Sequence, residues 1–157
     1  MPVEPLFDLS SIDLTAVVST PEEVGRVNPQ CGHMRQLDHV IWRNADLTDV
    51  LGVKFIRNDE FWVPGHIPGR PLFPGVLMIE AAAQVSSWLQ RTKYTDLGFL
   101  GFIRCDDTVF RGQVVPGDTL YLLAHEELSS RKRFVSLTQG IVNGKIVFES
   151  KITGMTF

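Results

Sequence analysis

The stretch from Pro64 to Gln90 constrains the fold of this chain more than any other part of it. Its first half holds seven glycines and prolines between Pro64 and Gly75. Because proline fixes φ and glycine lets other groups approach the backbone closely, this composition predicts a stiff loop of defined shape. Pro74 suits the start of a helix, and no helix-breaking residue occurs from Val76 to Gln90. The pattern therefore predicts a rigid loop that leads directly into one long helix.

The predicted helix is apolar around most of its circumference, and such a helix is typically buried at the centre of a domain. Its apolar residues are Leu77, Met78, Ala81, Ala82, Val85, Trp88 and Leu89. One face of the helix carries a thin polar stripe. Its residues follow each other at spacings of four, three and four and are Glu80, Gln84, Ser87 and Arg91. The simplest interpretation of Glu80 alone is a charge at the edge of the helix that Gln84 satisfies.

Three kinds of chemical group come together in sequence around the start of this helix. The loop carries His66, and Glu80 follows 14 residues later. The backbone N–H groups of Gly75 and Val76 have no acceptor inside the helix and lie at the positive end of its dipole. A histidine base, a desolvated carboxyl acid and amides that polarise a carbonyl can together remove a proton α to that carbonyl and expel a β-hydroxyl. Taken singly, His66 could be a surface histidine, and Gly75 could be glycine only so that the helix can pack.

The residues from His66 to Gln84 read HIPGRPLFPGVLMIEAAAQ. They resemble the signature of the 3-hydroxyacyl-[acyl-carrier-protein] dehydratases of fatty-acid synthesis, H-F-P-G-x-P-x-x-P-G-V-L-x-x-E-A-x-A-Q, with Ile67 in place of the usual Phe. Similar stretches extend the resemblance from about Leu37 to the C-terminus. The resemblance implies an α+β hot-dog fold, in which a curled antiparallel sheet wraps around one long central helix.

The resemblance also implies roles for five residues of the signature. His66 is expected to be the base at the α-carbon, Glu80 the acid at the β-hydroxyl, and Gly75 the amide that grips the thioester carbonyl. Val76 and Gln84 are expected to contact the substrate. A related dehydratase/isomerase branch carries Asp at the position of Glu80, so the resemblance favours the plain dehydratase.

The implied reaction converts a (3R)-3-hydroxyacyl thioester on acyl carrier protein to the trans-2-enoyl thioester. No metal or redox cofactor is expected, because the phosphopantetheine arm belongs to the carrier. The family resemblance implies a homodimer joined edge to edge, or a trimer of dimers, with each His66 opposite Glu80 of the neighbouring subunit. The basic run Arg131, Lys132 and Arg133 is either a solvated hairpin tip or a docking patch for the acidic carrier protein.

Composition limits the remaining possibilities. The chain of 157 residues fits a single domain over 1–157, of which 1–36 form an N-terminal arm and a short helix outside the clearest resemblance. A net charge of −3 gives no general attraction to nucleic acid or to anionic lipid. No leader pattern and no run of about 18 apolar residues occur, so a cytoplasmic protein without membrane contact is expected.

Two other functions remain open. A hot-dog thioesterase would use a carboxylate to direct water at the thioester carbonyl, but it has no clear use for His66. A non-catalytic acyl-binding or assembly subunit is suggested by segment 30–37, because only the ends of Pro29–Asp38 match the family's usual P-H-R-Y-P-F-L-L-V-D.

Local signals predict the remaining elements. A capping box at Thr20 and Glu23, with Pro21 between them, predicts a helix that ends near Val27. Asn143-Gly144 predicts a two-residue hairpin turn. Strands are predicted at Leu51–Asn58, with Val53, Phe55 and partly Ile56 facing inward, and at Phe99–Cys105, Thr119–Leu128, Phe134–Val142 and Lys145–Thr156.

Overall fold

A curled sheet surrounds one long helix in the computed structural model, which describes residues 3–157. The six strands are antiparallel and run in the order β1-β2-β4-β5-β6-β3. Helix α2 packs against strands β2 to β6, so the predicted arrangement of sheet and helix is confirmed. In chain order the elements are α1 (Pro21–Val27), a 3₁₀ turn (Gly32–Met34), β1 (His39–Arg43), β2 (Asp49–Phe55), α2 (Gly75–Lys93), β3 (Leu100–Phe110), β4 (Thr119–Ser129), β5 (Arg133–Val142) and β6 (Lys145–Thr156).

Helix α2 forms the centre of the main hydrophobic core. It begins at Gly75 directly after Pro74, as predicted, and continues to Lys93. Fully burying one large apolar side chain contributes about 1.5–3 kcal/mol, so this face of α2 is a major source of stability. The buried residues of α2 are Met78, Ala81, Ala82, Gln84, Val85, Ser86, Trp88, Leu89 and Gln90.

The predicted inward face of β2 is wrong for two residues. Val53 lies in a cluster on the outer face of the sheet and Phe55 is exposed, whereas Ile56 is buried in the main core as predicted. Side chains alternate along a strand, so an error of one residue reverses the whole face. Lys54 faces inward instead. Its ammonium can be buried because Glu60 Oε2, 3.0 Å from Lys54 Nζ, neutralises its charge.

The N-terminal arm covers the outer face of the sheet. Its backbone is anchored where Leu6 N–H donates to Gln139 Oε1 at 2.8 Å, and Phe7 packs on Trp42 with ring centroids 5.2 Å apart. No helix occurs over residues 3–19, and the first helix of the described chain is α1. The arm covers a cluster formed by Ile41, Leu51, Val53, Leu123 and Ile141.

Two local sequence signals fold as predicted. Thr20 and Glu23 form a complete capping box at the start of α1, where Thr20 Oγ1 accepts the Glu23 N–H at 3.3 Å and Glu23 Oε2 accepts the Thr20 N–H at 2.8 Å. Asn143 and Gly144 have φ angles of 50° and 74°, the left-handed conformation that a two-residue hairpin between β5 and β6 needs.

Strand β3 is one edge of the sheet and has many exposed apolar side chains. Two register irregularities interrupt its pairing with β6, between Phe102 and Arg104 and between Asp106 and Val109. The exposed apolar side chains on and beside β3 are those of Phe99, Phe102, Ile103, Val109 and Phe110. In the part of the chain that the structure describes, no helix has the length and apolar character needed to cross a membrane.

Candidate active site

The loop between β2 and α2 folds back on itself to present His66. The carbonyl oxygen of Trp62 accepts two backbone N–H bonds, from His66 at 2.9 Å and from Gly65 at 3.3 Å. These two hydrogen bonds to one carbonyl form a tight turn that fixes the backbone of His66. The imidazole is exposed, and no side-chain hydrogen bond engages it among residues 3–157. It is therefore free to act on a ligand.

The first turn of α2 leaves backbone donors available. The N–H groups of Leu77 and Met78 both bond to the carbonyl of Pro74, at 2.9 and 3.2 Å. Within the described residues the N–H groups of Gly75 and Val76 make no such bond, which is expected for the first positions of a helix. The Val76 side chain is 72% exposed. These two amides, at the positive end of the helix dipole, can receive a carbonyl oxygen.

Gly75 lies under an aromatic ring. A Cβ atom at this position would stand 2.9 Å from two ring carbons of Phe110, closer than side chains tolerate. The packing of α2 against β3 is thus one reason for glycine here, and it applies together with close approach of a substrate.

An open groove of about 360 Å³ connects His66 to the start of α2. Most of its walls are apolar, so it suits an acyl chain better than a charged ligand. The groove is lined by Phe61, Trp62, Gly65, His66, Pro74, Val76 and Leu77.

Glu80 opens onto a different cavity. This second cavity is small, about 60 Å³, and lies between α2 and the edge strand β3. Leu100 and Phe102 of β3 line it together with Ser87 of α2, and it shares no lining residue with the His66 groove. Within one subunit, therefore, His66 and Glu80 do not face a common space.

Gln84 holds the Glu80 carboxylate in place. Its Nε2 donates to Glu80 Oε1 at 2.8 Å and to the Met34 carbonyl at 2.6 Å, while its Oε1 accepts the Gln36 N–H at 2.8 Å. Gln84 is 1% exposed, so contact with substrate, the role predicted from the sequence, would require one of these bonds to break. Its hydrogen bond orients the Glu80 carboxylate, and contact of Gln84 with substrate stays a prediction. The same bonds show that divergent segment 30–37 is part of the Glu80 site, a link that the sequence did not reveal.

The predicted basic patch lies at the other end of α2. Arg131 donates to the Thr95 carbonyl at 3.0 Å, just beyond the C-terminal end of the helix, and Lys132 and Arg133 follow in the β4–β5 hairpin. A helix of 19 residues is about 28 Å long, and that length separates this hairpin from Gly75. A role of the patch in docking stays a prediction.

Sequence reasoning missed a buried ion pair behind the His66 loop. Lys54 on β2 and Glu60 at the start of the loop are 3.0 Å apart, and both are buried. The only sequence signal was a lysine in an otherwise apolar strand, and the incorrect choice of the inward face concealed it.

A family model described as a FabA-like domain matches residues 28–151 of the chain. One curated relative is the 3-hydroxyacyl-[acyl-carrier-protein] dehydratase FabZ of Alkaliphilus metalliredigens. It is 40% identical over 91 residues, which cover 57% of this chain and 60% of the relative. Another is the bifunctional enzyme LpxC/FabZ of Porphyromonas gingivalis, 44% identical over 73 residues, or 45% of this chain and 16% of the relative. The chain thus matches less than two thirds of the length of either relative.

Solved structures share the fold at low sequence identity. A chain of the dehydratase heterocomplex ApeI:P from Xenorhabdus doucetiae superposes with a TM-score of 0.73 at 17% identity, covering 85% of this chain and 90% of that one. A hypothetical thioesterase from Streptococcus pneumoniae, solved with coenzyme A, has a TM-score of 0.59 at 11% identity, covering 76% of this chain and 84% of that one. These likenesses confirm the hot-dog fold. Because the family model matches most of its length, the chain belongs to the FabA-like family, in the branch that resembles FabZ.

Proposed function

We propose that this chain is a dehydratase that converts a (3R)-3-hydroxyacyl thioester on acyl carrier protein to the trans-2-enoyl thioester. The observation that carries the proposal is the juxtaposition of an unengaged His66 imidazole and the free N–H groups at the start of α2, in one apolar groove. Membership of the FabA-like family and the curated relative named as such a dehydratase support the same reaction.

Each group has a defined task in the proposed reaction. The imidazole of His66 takes a proton from the α-carbon, and the negative charge that develops on the thioester oxygen is stabilised by the N–H of Gly75, with Val76 beside it. The carboxyl of Glu80 gives its proton to the β-hydroxyl, which leaves as water while the double bond forms. Return of the proton from His66 to Glu80 restores the starting state. The phosphopantetheine arm enters with the carrier, and no metal or redox cofactor takes part in the proposed reaction.

The proposed site is completed by a second copy of the chain. In one subunit His66 and Glu80 open onto separate cavities, and the Glu80 cavity lies beside the edge strand β3. A second copy that pairs along β3 would lie next to this cavity and could bring its own His66 loop to it. A homodimer with two equivalent sites follows from two-fold symmetry, and a trimer of dimers is compatible with it.

Gln84 supports the proposed acid. Its amide donates to Glu80 Oε1 only, so the second carboxylate oxygen remains available for the substrate hydroxyl. Because the same amide is tied to Met34 and Gln36, the orientation of Glu80 depends on a segment that differs from the family pattern.

The purified chain should be assayed with a ladder of 3-hydroxyacyl thioesters, each carried on acyl carrier protein and on coenzyme A. Enoyl absorbance and free thiol should be followed in the same reaction. The proposal predicts enoyl absorbance without thiol release, and faster turnover on the carrier protein. Thiol without enoyl product would indicate a thioesterase, and binding without either product would indicate a non-catalytic acyl-binding subunit.

A further inference from the structure

Lys54 is a lysine whose side chain is buried on the inner face of the sheet. It is 1% exposed and points from β2 toward the loop that carries His66. Lysine is almost never fully buried unless it is paired, because an unpaired ammonium in the interior loses its hydration. Its Nζ lies 3.0 Å from Glu60 Oε2 and 5.5 Å from the centre of the Phe73 ring. These contacts provide the compensation that burial requires.

Glu60 is bonded on both carboxylate oxygens. Its Oε1 accepts the Arg57 N–H at 2.9 Å, and its Oε2 accepts the indole Nε1–H of Trp62 at 3.0 Å as well as the Lys54 ammonium. Burial opposes the charged form, but the Arg57 N–H, Lys54 and Trp62 together outweigh it and hold the pKa of Glu60 below its usual value. Glu60 is therefore ionised at neutral pH and pairs fully with Lys54.

The Lys54–Glu60 pair contacts residues near both ends of the loop that carries His66. At one end Glu60 bonds Trp62, whose carbonyl receives the His66 N–H at 2.9 Å. At the other end Lys54 lies over Phe73, which immediately precedes Pro74 and the start of α2. Trp62 and Phe73 also pack edge to face, with ring centroids 5.6 Å apart. The loop is thus tied to β2 by an ion pair near its start and by a cation–π contact near its end.

We infer that the buried Lys54–Glu60 pair positions His66 relative to the free amides of α2, so that the loop is held for turnover and not only for stability. This inference rests on the proposed dehydratase function. Neither residue lines the His66 groove, so both are positioning residues and not catalytic ones. A displacement of a catalytic group by about 1 Å can lower turnover about 100-fold, so an anchor of this kind affects kcat.

The test is the double variant Lys54→Met/Glu60→Gln, which removes both charges and leaves no unpaired ion in the core. The glutamine introduced in place of Glu60 has one acceptor oxygen, so it can keep the hydrogen bond from Arg57 or from Trp62 but not both, and the loop loses its charged link to β2. The inference predicts a fall in kcat of about 10- to 100-fold with KM changed less than about 2-fold. It also predicts that amide hydrogen exchange at His66 increases more than exchange in the core strands β4 and β5, which report the global stability that one lost hydrogen bond lowers by about 1–3 kcal/mol.

The matched control is Lys93→Met/Glu126→Gln, which removes an ion pair between α2 and β4 at the end of the helix distant from His66. Its kcat and its His66 exchange should equal those of the wild type. Wild-type kcat and exchange in the Lys54→Met/Glu60→Gln protein would overturn the inference and leave the proposed function standing. If the wild type itself shows no dehydratase activity, the proposed function fails, and the exchange of the His66 amide alone decides whether the pair holds the loop.

Discussion

Glu80 and Gln84 lie one turn apart on α2 and show how a carboxylate is kept in the wall of a buried helix. Both polar atoms of the Gln84 side chain make hydrogen bonds within the protein. Its Oε1 accepts the Gln36 N–H, and its Nε2 donates to the Met34 carbonyl and to Glu80. Truncating such a buried amide leaves its partners unsatisfied, at a cost of about 1–3 kcal/mol each. The interpretation of Glu80 as a charge that Gln84 satisfies is therefore confirmed, whereas Arg91 of the same polar stripe bonds separately, to the Gly98 carbonyl.

His66→Ala and Glu80→Gln should each lower dehydration by at least about 100-fold, the scale of losing a positioned base or acid. The His66 side chain is exposed, and a glutamine in place of Glu80 can still accept the Gln84 amide, so neither change should unfold the chain. Turnover on a 3-hydroxyacyl thioester measures the effect, and circular dichroism serves as the control. Near-normal turnover in either variant, with an unchanged spectrum, would rule out the proposed pair of catalytic groups.

At the scale of elements, Gly75 at the junction between the loop and α2 has a packing role and a proposed catalytic role. The ring of Phe110 on β3 packs against Gly75, and the N–H of Gly75 is proposed to receive the thioester carbonyl. An added methyl group would disturb both, so packing and catalysis must be separated by a second substitution.

Gly75→Ala should push the half-exposed Phe110 ring aside and destabilise the chain by about 1 kcal/mol, the low end for overpacking, and should also lower turnover. In Gly75→Ala/Phe110→Ala the clash is removed, so thermal unfolding should recover toward that of Phe110→Ala alone. Turnover should stay low, because the methyl group added to Gly75 still obstructs the approach of the substrate to the amide. Recovery of turnover together with stability would mean that glycine serves only the packing of Phe110.

The elements with local sequence signals were predicted correctly, and strands β4, β5 and β6 were predicted to within one residue, but two features that depend on distant contacts were not. The capping box at Thr20, the Asn143-Gly144 turn and the start of α2 each depend on residues within a few positions. Strand β1 was missed, because it is only five residues long and is defined by its pairing with β2. The inward face of β2 was assigned incorrectly, because the partner that permits a buried Lys54 is Glu60, in the loop beyond the strand.

The candidate site shows the same division between local and distant information. The signature supplied His66, Gly75 and Glu80, because these lie in one contiguous stretch of sequence. Within one subunit His66 lines one groove and Glu80 another cavity, which depends on how the sheet curls around α2 and is compatible with the site between subunits that the family resemblance implies. The sequence did not reveal that Gln84, for which substrate contact stays a prediction, bonds to segment 30–37 through Gln36, 48 residues away in the chain.

At the scale of the whole molecule, the two faces and edges of the sheet differ in how they are covered. The N-terminal arm covers the outer face, but edge strand β3, with 11 residues, carries exposed aromatic side chains that include Phe102 and Phe110. A long apolar edge strand is a site for pairing with another chain. This edge borders the Glu80 cavity, so assembly and completion of the site are proposed to be the same event.

The basic hairpin is predicted to steer the carrier protein. Replacing Arg131, Lys132 and Arg133 together by Glu should slow turnover of carrier-protein substrates at low salt and have little effect on small thioesters, because steering by charge is screened as ionic strength rises. The comparison of kcat/KM on both substrate kinds at two salt concentrations measures this. Equal losses on both would point to damage of the fold or site, and docking at this hairpin would be wrong.

Subunit exchange between two inactive variants tests the shared site most directly. His66→Ala and Glu80→Gln proteins are mixed, exchanged and assayed, with each variant alone as the control. In a mixed dimer one site inherits both lesions and the other inherits neither. Random exchange makes half of the dimers mixed, so activity should return to about a quarter of wild type per subunit. No recovery after exchange has been demonstrated by mass spectrometry would mean that each subunit supplies its own His66 and Glu80, and would contradict the shared site.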